Sequence, residues 1–240
     1  MLALQVKNLN KAYQKKFVVN DVSLTIKERE IVGLLGPNGA GKTTIFHIIL
    51  GLVKPTGGKV FLAEEEITHL PTYQRAKKGI AYLPQGASIF QKLSVKDNLM
   101  AILETLNLSR GEREEKADYL LSELGIAHLS KKKASLLSGG ERRRAEIARA
   151  LVTSPHFILF DEPFSGIDPI TVSDLQEIIC NLRNKGIGIL ITDHNVRETL
   201  HITDFSYLIS QGKVLISGKK DELIRSKEAR KIYLGDKFKL

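Results

Sequence analysis

The run "IVGLLGPNGAGKTTIFHIILGL" (31–52) constrains this chain more than any other stretch. It opens on an apolar segment of the kind buried on both faces of a parallel sheet. That segment meets Gly36-Pro37-Asn38-Gly39-Ala40-Gly41-Lys42-Thr43-Thr44, which fits the pattern G-x-x-x-x-G-K-[ST]. The glycines let the backbone wrap a polyphosphate and turn its N–H groups inward. Lys42 reaches the β- and γ-phosphates, and the Thr43 hydroxyl offers an oxygen to Mg2+. Strand, loop and helix in this order predict an α/β P-loop nucleotide-binding core.

Other polar residues collect at strand ends, where open α/β sheets bind their ligands. "FILFDE" (157–162) ends a buried strand in an acid pair. There Asp161 binds Mg2+ directly or through water, and Glu162 polarises an attacking water. "IGILITDH" (187–194) delivers His194, either to hydrogen-bond the γ-phosphate or to sit as an ordinary strand-end histidine. Gln85 closes "IAYLPQ" (80–85), either touching Mg2+ and the attacking water or capping a turn. Tyr13 either stacks on an adenine face or packs. "FVVNDVSLTI" (17–26) alternates like a half-exposed antiparallel strand, and 205–218 reads as a hairpin turned at Gln211-Gly212.

Residues 86–154 differ from the rest. "SVKDNLMAILETL" (94–106) and "GEREEKADYLLSELG" (111–125) have helical periodicity. "LSGGERRRAEIARAL" (137–151) then offers a second anion-facing helix start. Arg142 with Glu146 and Glu146 with Arg149 have the spacing of salt bridges along it. Ala145, Ile147, Ala148 and Leu151 give it an apolar side. The expected organisation is one domain over 1–240. Residues 1–85 and 155–218 form the core with an antiparallel β subdomain, 86–154 an inserted helical subdomain, and 219–240 a charged helical tail. Tyr233, Leu234, Phe238 and Leu240 could dock that tail back. In "ASIFQKLSV" (87–95), Ile89 and Phe90 are either core or an exposed socket for a cytoplasmic helix of a membrane subunit.

Charge and cysteine content narrow the partners. A net charge of +9 suits acidic partners or reflects ordinary surface lysine. No basic block is interleaved with aromatics, so nucleic acid is not expected. Cys180 is the sole cysteine, which excludes an internal disulfide or a Cys-based zinc cluster, and it reads as a buried helix thiol. The N-terminus lacks the apolar core of a signal peptide. Apolar runs such as "IFHIILGLV" (45–53) fall short of the ~20 residues of a membrane span. A cytoplasmic chain is expected, held at any membrane by a partner.

Six motifs in order make the chain similar, over essentially its whole length, to the nucleotide-binding subunits of ATP-binding cassette (ABC) transporters. They are the Walker A loop 36–43, the Q-loop Gln85, the signature "LSGGE" (137–141), Walker B with its glutamate (157–162), the D-loop "SGID" (165–168) and the switch His194. "PQGASIFQKLSVKDNLMA" (84–101), "LITDHNVRETL" (190–200) and the ending "YLGDKFKL" resemble the ATPases of lipopolysaccharide export (Lpt) systems. The alternative is the ATPases of branched-chain amino-acid importers. A nucleoside kinase or GTPase has no use for "LSGGE". A DNA-repair or ribosomal cassette carries two cassettes or a long coiled coil.

The resemblance implies ATP and Mg2+ as cofactors and an ATP-dependent, head-to-tail homodimer. Lys42, Thr43, Gln85, Asp161, Glu162 and His194 of one copy would hold each ATP. Ser138, Gly139, Gly140 and Glu141 of the other would cover its γ-phosphate, and Asp168 would couple the two sites. The expected assembly includes two transmembrane permease subunits of the Lpt type. It would lie peripherally on the cytoplasmic face of a Gram-negative inner membrane and export lipopolysaccharide toward the outer membrane.

Overall fold

The computed structural model describes residues 2–235 and Phe238. Ten strands form two sheets. Strands β1 (Ala3–Tyr13), β2 (Lys16–Lys27), β4 (Gly57–Leu62) and β5 (Glu65–Glu66) form an antiparallel sheet in the order β2-β1-β4-β5. The second sheet contains β3 (Ile31–Leu35), β6 (Ile80–Leu83), β7 (Phe157–Asp161), β8 (Gly188–Thr192), β9 (Phe205–Ser210) and β10 (Lys213–Gly218). Its order is β10-β9-β3-β8-β7-β6, parallel throughout except for the β9–β10 hairpin. Strands β3, β7 and β8 are buried at every residue, the reason their sequences run apolar without alternating. The hairpin turns at Gln211 and Gly212, both with positive φ (48° and 78°), as a two-residue turn between twisted strands requires.

Helix α1 (Lys42–Leu50) lies between the two sheets. Its Phe46 and Ile49 share a core with Leu4 and Ile26 of one sheet and Leu34 and Leu159 of the other. On the opposite face of the six-stranded sheet pack α3 (Val95–Leu103), α4 (Arg110–Glu123), α5 (Gly139–Leu151) and α6 (Pro169–Asn184), against Ile158, Phe160 and Ile191. Side chains alternate along β7: Phe157 and Leu159 turn toward α1, Ile158 and Phe160 toward the helices. By that period of two, Asp161 falls on the α1 face.

The far end of α1 is closed by a buried arginine. Arg75, on α2 (Thr72–Lys77), is 2% exposed. Its guanidinium donates to the carbonyls of Ile48, Ile49, Thr68 and Leu70 at 2.6–2.9 Å. Two of these are last-turn carbonyls of α1, where i+4 donors run out and the negative end of the dipole lies. Burial pushes the group down to about 10, so it stays charged at neutral pH.

Helix α7 (Val196–Ile202) follows β8, and α8 (Lys220–Arg225) follows β10. Tyr233, Leu234 and Phe238 dock back on a core of Leu35, Leu200, Leu208, Leu223 and Ala229. Leu240 lies outside the described residues. Cys180 is only half-buried on α6, at the edge of the core, and partial burial raises its thiol pKa.

Candidate active site

The loop from Gly36 to Gly41 is shaped by contacts that only glycine permits. A Cβ on Gly36 (φ 147°) would stand 2.1 Å from the carbonyl oxygen of Ile209. One on Gly41 (φ 105°) would stand 2.6 Å from that of Val18. Ala40 is buried beneath the loop, donating to the Pro37 carbonyl and accepting from the Gly212 N–H. Helix α1 then starts with no side-chain cap and no acidic residue in its first turn. Its first N–H groups are therefore left to an anion, with the positive dipole end behind them.

Lys42 folds over the loop, donating to the carbonyls of Gly36 (2.7 Å) and Pro37 (3.0 Å). Burial lowers its pKa, while Glu162 and Asp161 pull the other way. An open cavity of about 350 Å3 runs along Asn38, Gly39, Lys42, Thr43 and Thr44 to Asp161 and Glu162. The Thr43 hydroxyl and the Asp161 carboxylate thus border one space. Among the described residues no group of three His, Cys, Asp or Glu side chains could hold a metal alone. That donor set fits Mg2+, which takes one or two protein oxygens and fills its shell with water and substrate phosphates.

Asp161 accepts from the Tyr82 hydroxyl at 3.2 Å. Burial raises its carboxyl pKa, with Tyr82 opposing the rise. Burial, then the Asp161 carboxylate, push the Tyr82 phenol well above the ordinary tyrosine range.

Glu162 sits at φ 47°, a left-handed conformation that is costly for a residue with a side chain and tends to persist at functional sites. Its N–H is tied to the Thr192 carbonyl (2.8 Å) at the end of β8. Its Oε2 accepts from Gln85 Nε2 at 2.7 Å and lies 3.4 Å from His194 Nδ1. Strand ends far apart in sequence thereby converge on one carboxylate.

Asp193, which the sequence reading does not single out, holds this convergence together. It is fully buried and accepts from the N–H groups of Phe164 and Asn195, each at 2.8 Å. Burial raises its pKa. One carboxylate thus ties the loop after Glu162 to the loop carrying His194. The available signal was a charged residue directly after a buried strand.

None of Ser138, Gly139, Gly140 and Glu141 lines the Lys42 cavity, while Gly139 borders a second cavity of about 170 Å3 with Gln85 and Glu162. Ser138 caps α5, and Glu141 answers with a capping box. The Ser138 N–H, with Lys132 nearby, holds the Glu141 carboxyl below its usual range. A Cβ on Gly140 would meet the Thr171 methyl at 2.7 Å. Thr171 in turn donates its N–H to Asp168, the N-cap of α6, so signature and D-loop meet side by side. Tyr13 is half-exposed at the end of β1, with the Lys11 ammonium 4.8 Å over its ring, and does not line the cavity.

Helix α5 also pins the segment after Gln85. The partner of Glu146 is Arg143, at 3.1 Å, and not Arg142 or Arg149. Arg143 also donates to the Pro84 carbonyl, Glu146 accepts from the Ser88 N–H, and Arg149 donates to the Ser88 carbonyl and hydroxyl. Arg149 is therefore engaged by Ser88, which overturns the expected bridge along the helix. Ile89 is 5% exposed and belongs to the core, so it drops out of the expected socket. Phe90 is 49% exposed. Buried Asn98 grips both the N–H and the carbonyl of Phe90, and the Arg149 guanidinium lies 5.4 Å from its ring. Beside it opens a groove of about 390 Å3, lined by Leu52, Tyr82, Ser88, Ile102, Arg149 and Thr153 among others.

Residues 19–165 match the ABC transporter family model. The chain is 52% identical to the lipopolysaccharide export system ATP-binding protein LptB of Haemophilus influenzae, and 52% to that of Escherichia coli, covering all of both chains in each comparison. It is 53% identical to the LptB of Acidithiobacillus ferridurans, over 99% of this chain and 98% of that one. Among solved structures, the ADP conformation of MJ1267, an ATP-binding cassette of an ABC transporter, superposes with a TM-score of 0.88 at 26% identity, covering 98% of this chain and 100% of that one. A dimeric post-hydrolysis state of the cassette MJ0796 bound to ADP and Pi superposes at 0.80 and 27% identity, over 90% and 98%. With the P-loop cavity, the acid pair and this likeness along its full length, the chain belongs to the ABC transporter family, as one of its ATP-hydrolysing cassettes.

Proposed function

We propose that this chain is the ATPase that drives lipopolysaccharide out of the inner membrane of a Gram-negative bacterium. It would act as a head-to-tail homodimer under two transmembrane permease subunits of the Lpt type. Full-length identity to proteins named for lipopolysaccharide export supports the cargo. No described helix is long and apolar enough to cross a membrane, so the reading assigns the path of the lipid to the partners. The chain would lie peripherally on the cytoplasmic face.

The convergence of Gln85 and His194 on the Glu162 carboxylate, beside the Lys42 cavity, carries the mechanistic reading. The loop and the start of α1 bind the β- and γ-phosphates through backbone N–H groups. The Lys42 ammonium leaves its two loop carbonyls for the phosphate oxygens. Thr43 and Asp161 would hold Mg2+, with Gln85 beside them, and the ion would supply positive charge against the charge building on the phosphates. Glu162 orients the attacking water and takes its proton, and His194 hydrogen-bonds the γ-phosphate. Tyr13 stacks on the adenine.

The signature supports the dimer, because Ser138, Gly139 and Gly140 lie outside the Lys42 cavity of their own chain. In a head-to-tail pair they cover the partner's γ-phosphate, Glu141 keeps their helix start in shape, and Asp168 lies where the two sites touch. Loss of the γ-phosphate removes the contact that favours the closed pair. The groove beside Phe90 takes a cytoplasmic helix of the permease.

Glu162→Gln tests this directly. Removing the base should lower turnover by about 10²–10⁴-fold. ATP affinity should stay intact, and a dimer should appear by gel filtration only with ATP. Full turnover would remove Glu162 from this role, and a monomer with ATP bound would remove the pair. The membrane proteins that co-purify with the tagged chain identify the cargo system.

A further inference from the structure

On β6, Tyr82 pairs in register with Leu159 of β7. Residues two apart on a strand share a face. Tyr82 therefore stands beside Leu159 on the α1 face, and Asp161 is the next side chain along that face. Its hydroxyl reaches Asp161 Oδ2 at 3.2 Å. One oxygen of the carboxylate is thereby engaged from the sheet, and rotation about its last bond is restrained. The ring packs against the core beneath α1, and it also lines the groove that holds Ser88 and Arg149.

This matters because the protein brings few ligands of its own. In the reading above, only the Thr43 hydroxyl and the Asp161 carboxylate serve as metal oxygens from the cavity wall, so the orientation of that carboxylate weighs heavily in how the ion is received. Groups that hold a metal ligand from behind typically change metal affinity by about 10–100-fold when removed. Gln85, two residues beyond Leu83, acts on Glu162; Tyr82 acts on the other member of the acid pair.

We propose that Tyr82 is a positioning residue for the reaction, its hydroxyl holding the Asp161 carboxylate in the orientation that receives Mg2+. The inference rests on Asp161 being the Mg2+ ligand of the reading above. Tyr82→Phe removes the hydroxyl and keeps the ring, so the core and the groove wall are preserved.

ATP affinity is measured by calorimetry in EDTA and again across a Mg2+ titration, with turnover followed separately. In Tyr82→Phe the affinity in EDTA should stay within about twofold, while the half-saturating Mg2+ rises on the order of tenfold. In an Asp161→Asn background the same change should add nothing, since the group it positions is gone. An unchanged half-saturating Mg2+ overturns the proposal. So does an equal loss of affinity with and without Mg2+, which marks a structural residue, or a full additive loss in the Asp161→Asn background. If instead Asp161→Asn alone leaves the Mg2+ dependence untouched, the metal role of Asp161 fails first, and this inference falls with it. Co-purification of the permease subunits with the native chain is scored separately, so failure of this inference and failure of the transport reading are told apart.

Discussion

Glu146→Ala should destabilise this protein far more than an ordinary helix substitution, and the structure supplies the size. The Glu146 side chain is 4% exposed, and that of its partner Arg143 is 9% exposed. Arg143 Nε and Nη2 are buried with no hydrogen-bond partner, so Glu146 is the carboxylate that compensates this guanidinium. Removing one member of a buried pair strands the other charge and costs about 3–5 kcal/mol. The Ser88 N–H loses its acceptor at the same time, which places the expected loss at the upper end of that range. A typical domain is stable by only ~5–15 kcal/mol. At roughly 2–4 °C per kcal/mol for a chain of this size, the midpoint should fall by roughly 6–20 °C. Urea and thermal denaturation of the purified chain at pH 7 measure it. Arg143→Met with Glu146→Leu removes both charges and should recover much of the loss, because well-packed apolar pairs replace buried ion pairs at little cost, with about 1–3 kcal/mol remaining for the Ser88 N–H that still lacks its acceptor. A Glu146→Ala midpoint within 3 °C of wild type, or a double variant as unstable as the single one, would refute the reasoning.

Two further outcomes follow from the surface of the same lobe. Phe90→Ala should leave the isolated chain nearly as stable as before, losing at most the ~0.5–1 kcal/mol of its exposed cation–π contact. Capture of the permease subunits in a pull-down should fall several-fold, and a melted variant would return Phe90 to the core. Glu141→Gln reports on the signature cap through pH. The folded-state pKa of Glu141 is depressed below 4.5 by the Ser138 N–H. Its stabilisation is therefore present above 4.5 and lost as pH falls through the depressed folded value. The gap in melting temperature between wild type and Glu141→Gln should be open at pH 7 and closed under acid, and a gap independent of pH would refute it.

What the sequence showed most clearly is chemistry confined to a few consecutive residues. The Gly36–Thr43 loop is legible because its glycines, lysine and threonine lie in one short run whose spacing suits a single phosphate chain. β3, β7 and β8 are legible because burial on both faces forbids alternation. The hairpin at Gln211-Gly212 is legible because a glycine, free to take positive φ, follows a polar residue between two apolar runs. Legibility ends where a side chain chooses among neighbours on other elements. Arg142, Arg143 and Arg149 all lie within a helical turn of Glu146, and α5 packing against the Gln85 segment decides among them. Arg149 is drawn off by Ser88, and Arg143 reaches Glu146 and the Pro84 carbonyl together. Ile89 and Phe90 are equally apolar neighbours, and the grip of Asn98 on the Phe90 backbone turns one in and the other out. Sequence does not single out Asp193, because its two acceptor roles exist only once the loops after β7 and β8 close on each other.

The two anion-facing helix starts are not equivalent, and the difference matches what a switch needs. Helix α1 begins without a side-chain cap, so its first-turn donors and dipole are committed to whatever fills the loop. Helix α5 begins with Ser138 and Glu141 already satisfying each other. Its N3 donor and its N-cap N–H are spent, and a carboxylate sits in its first turn, partly offsetting the dipole. An anion meeting α5 is therefore held by fewer donors and against a nearby negative charge. On the proposed pair, α1 keeps ATP or ADP in its own chain through the cycle. The α5 of the partner contributes a weaker hold that depends on the γ-phosphate being present. A dimer built with two strong grips would stay shut after hydrolysis. One strong and one weak grip let loss of a single phosphate open the interface while the nucleotide stays bound.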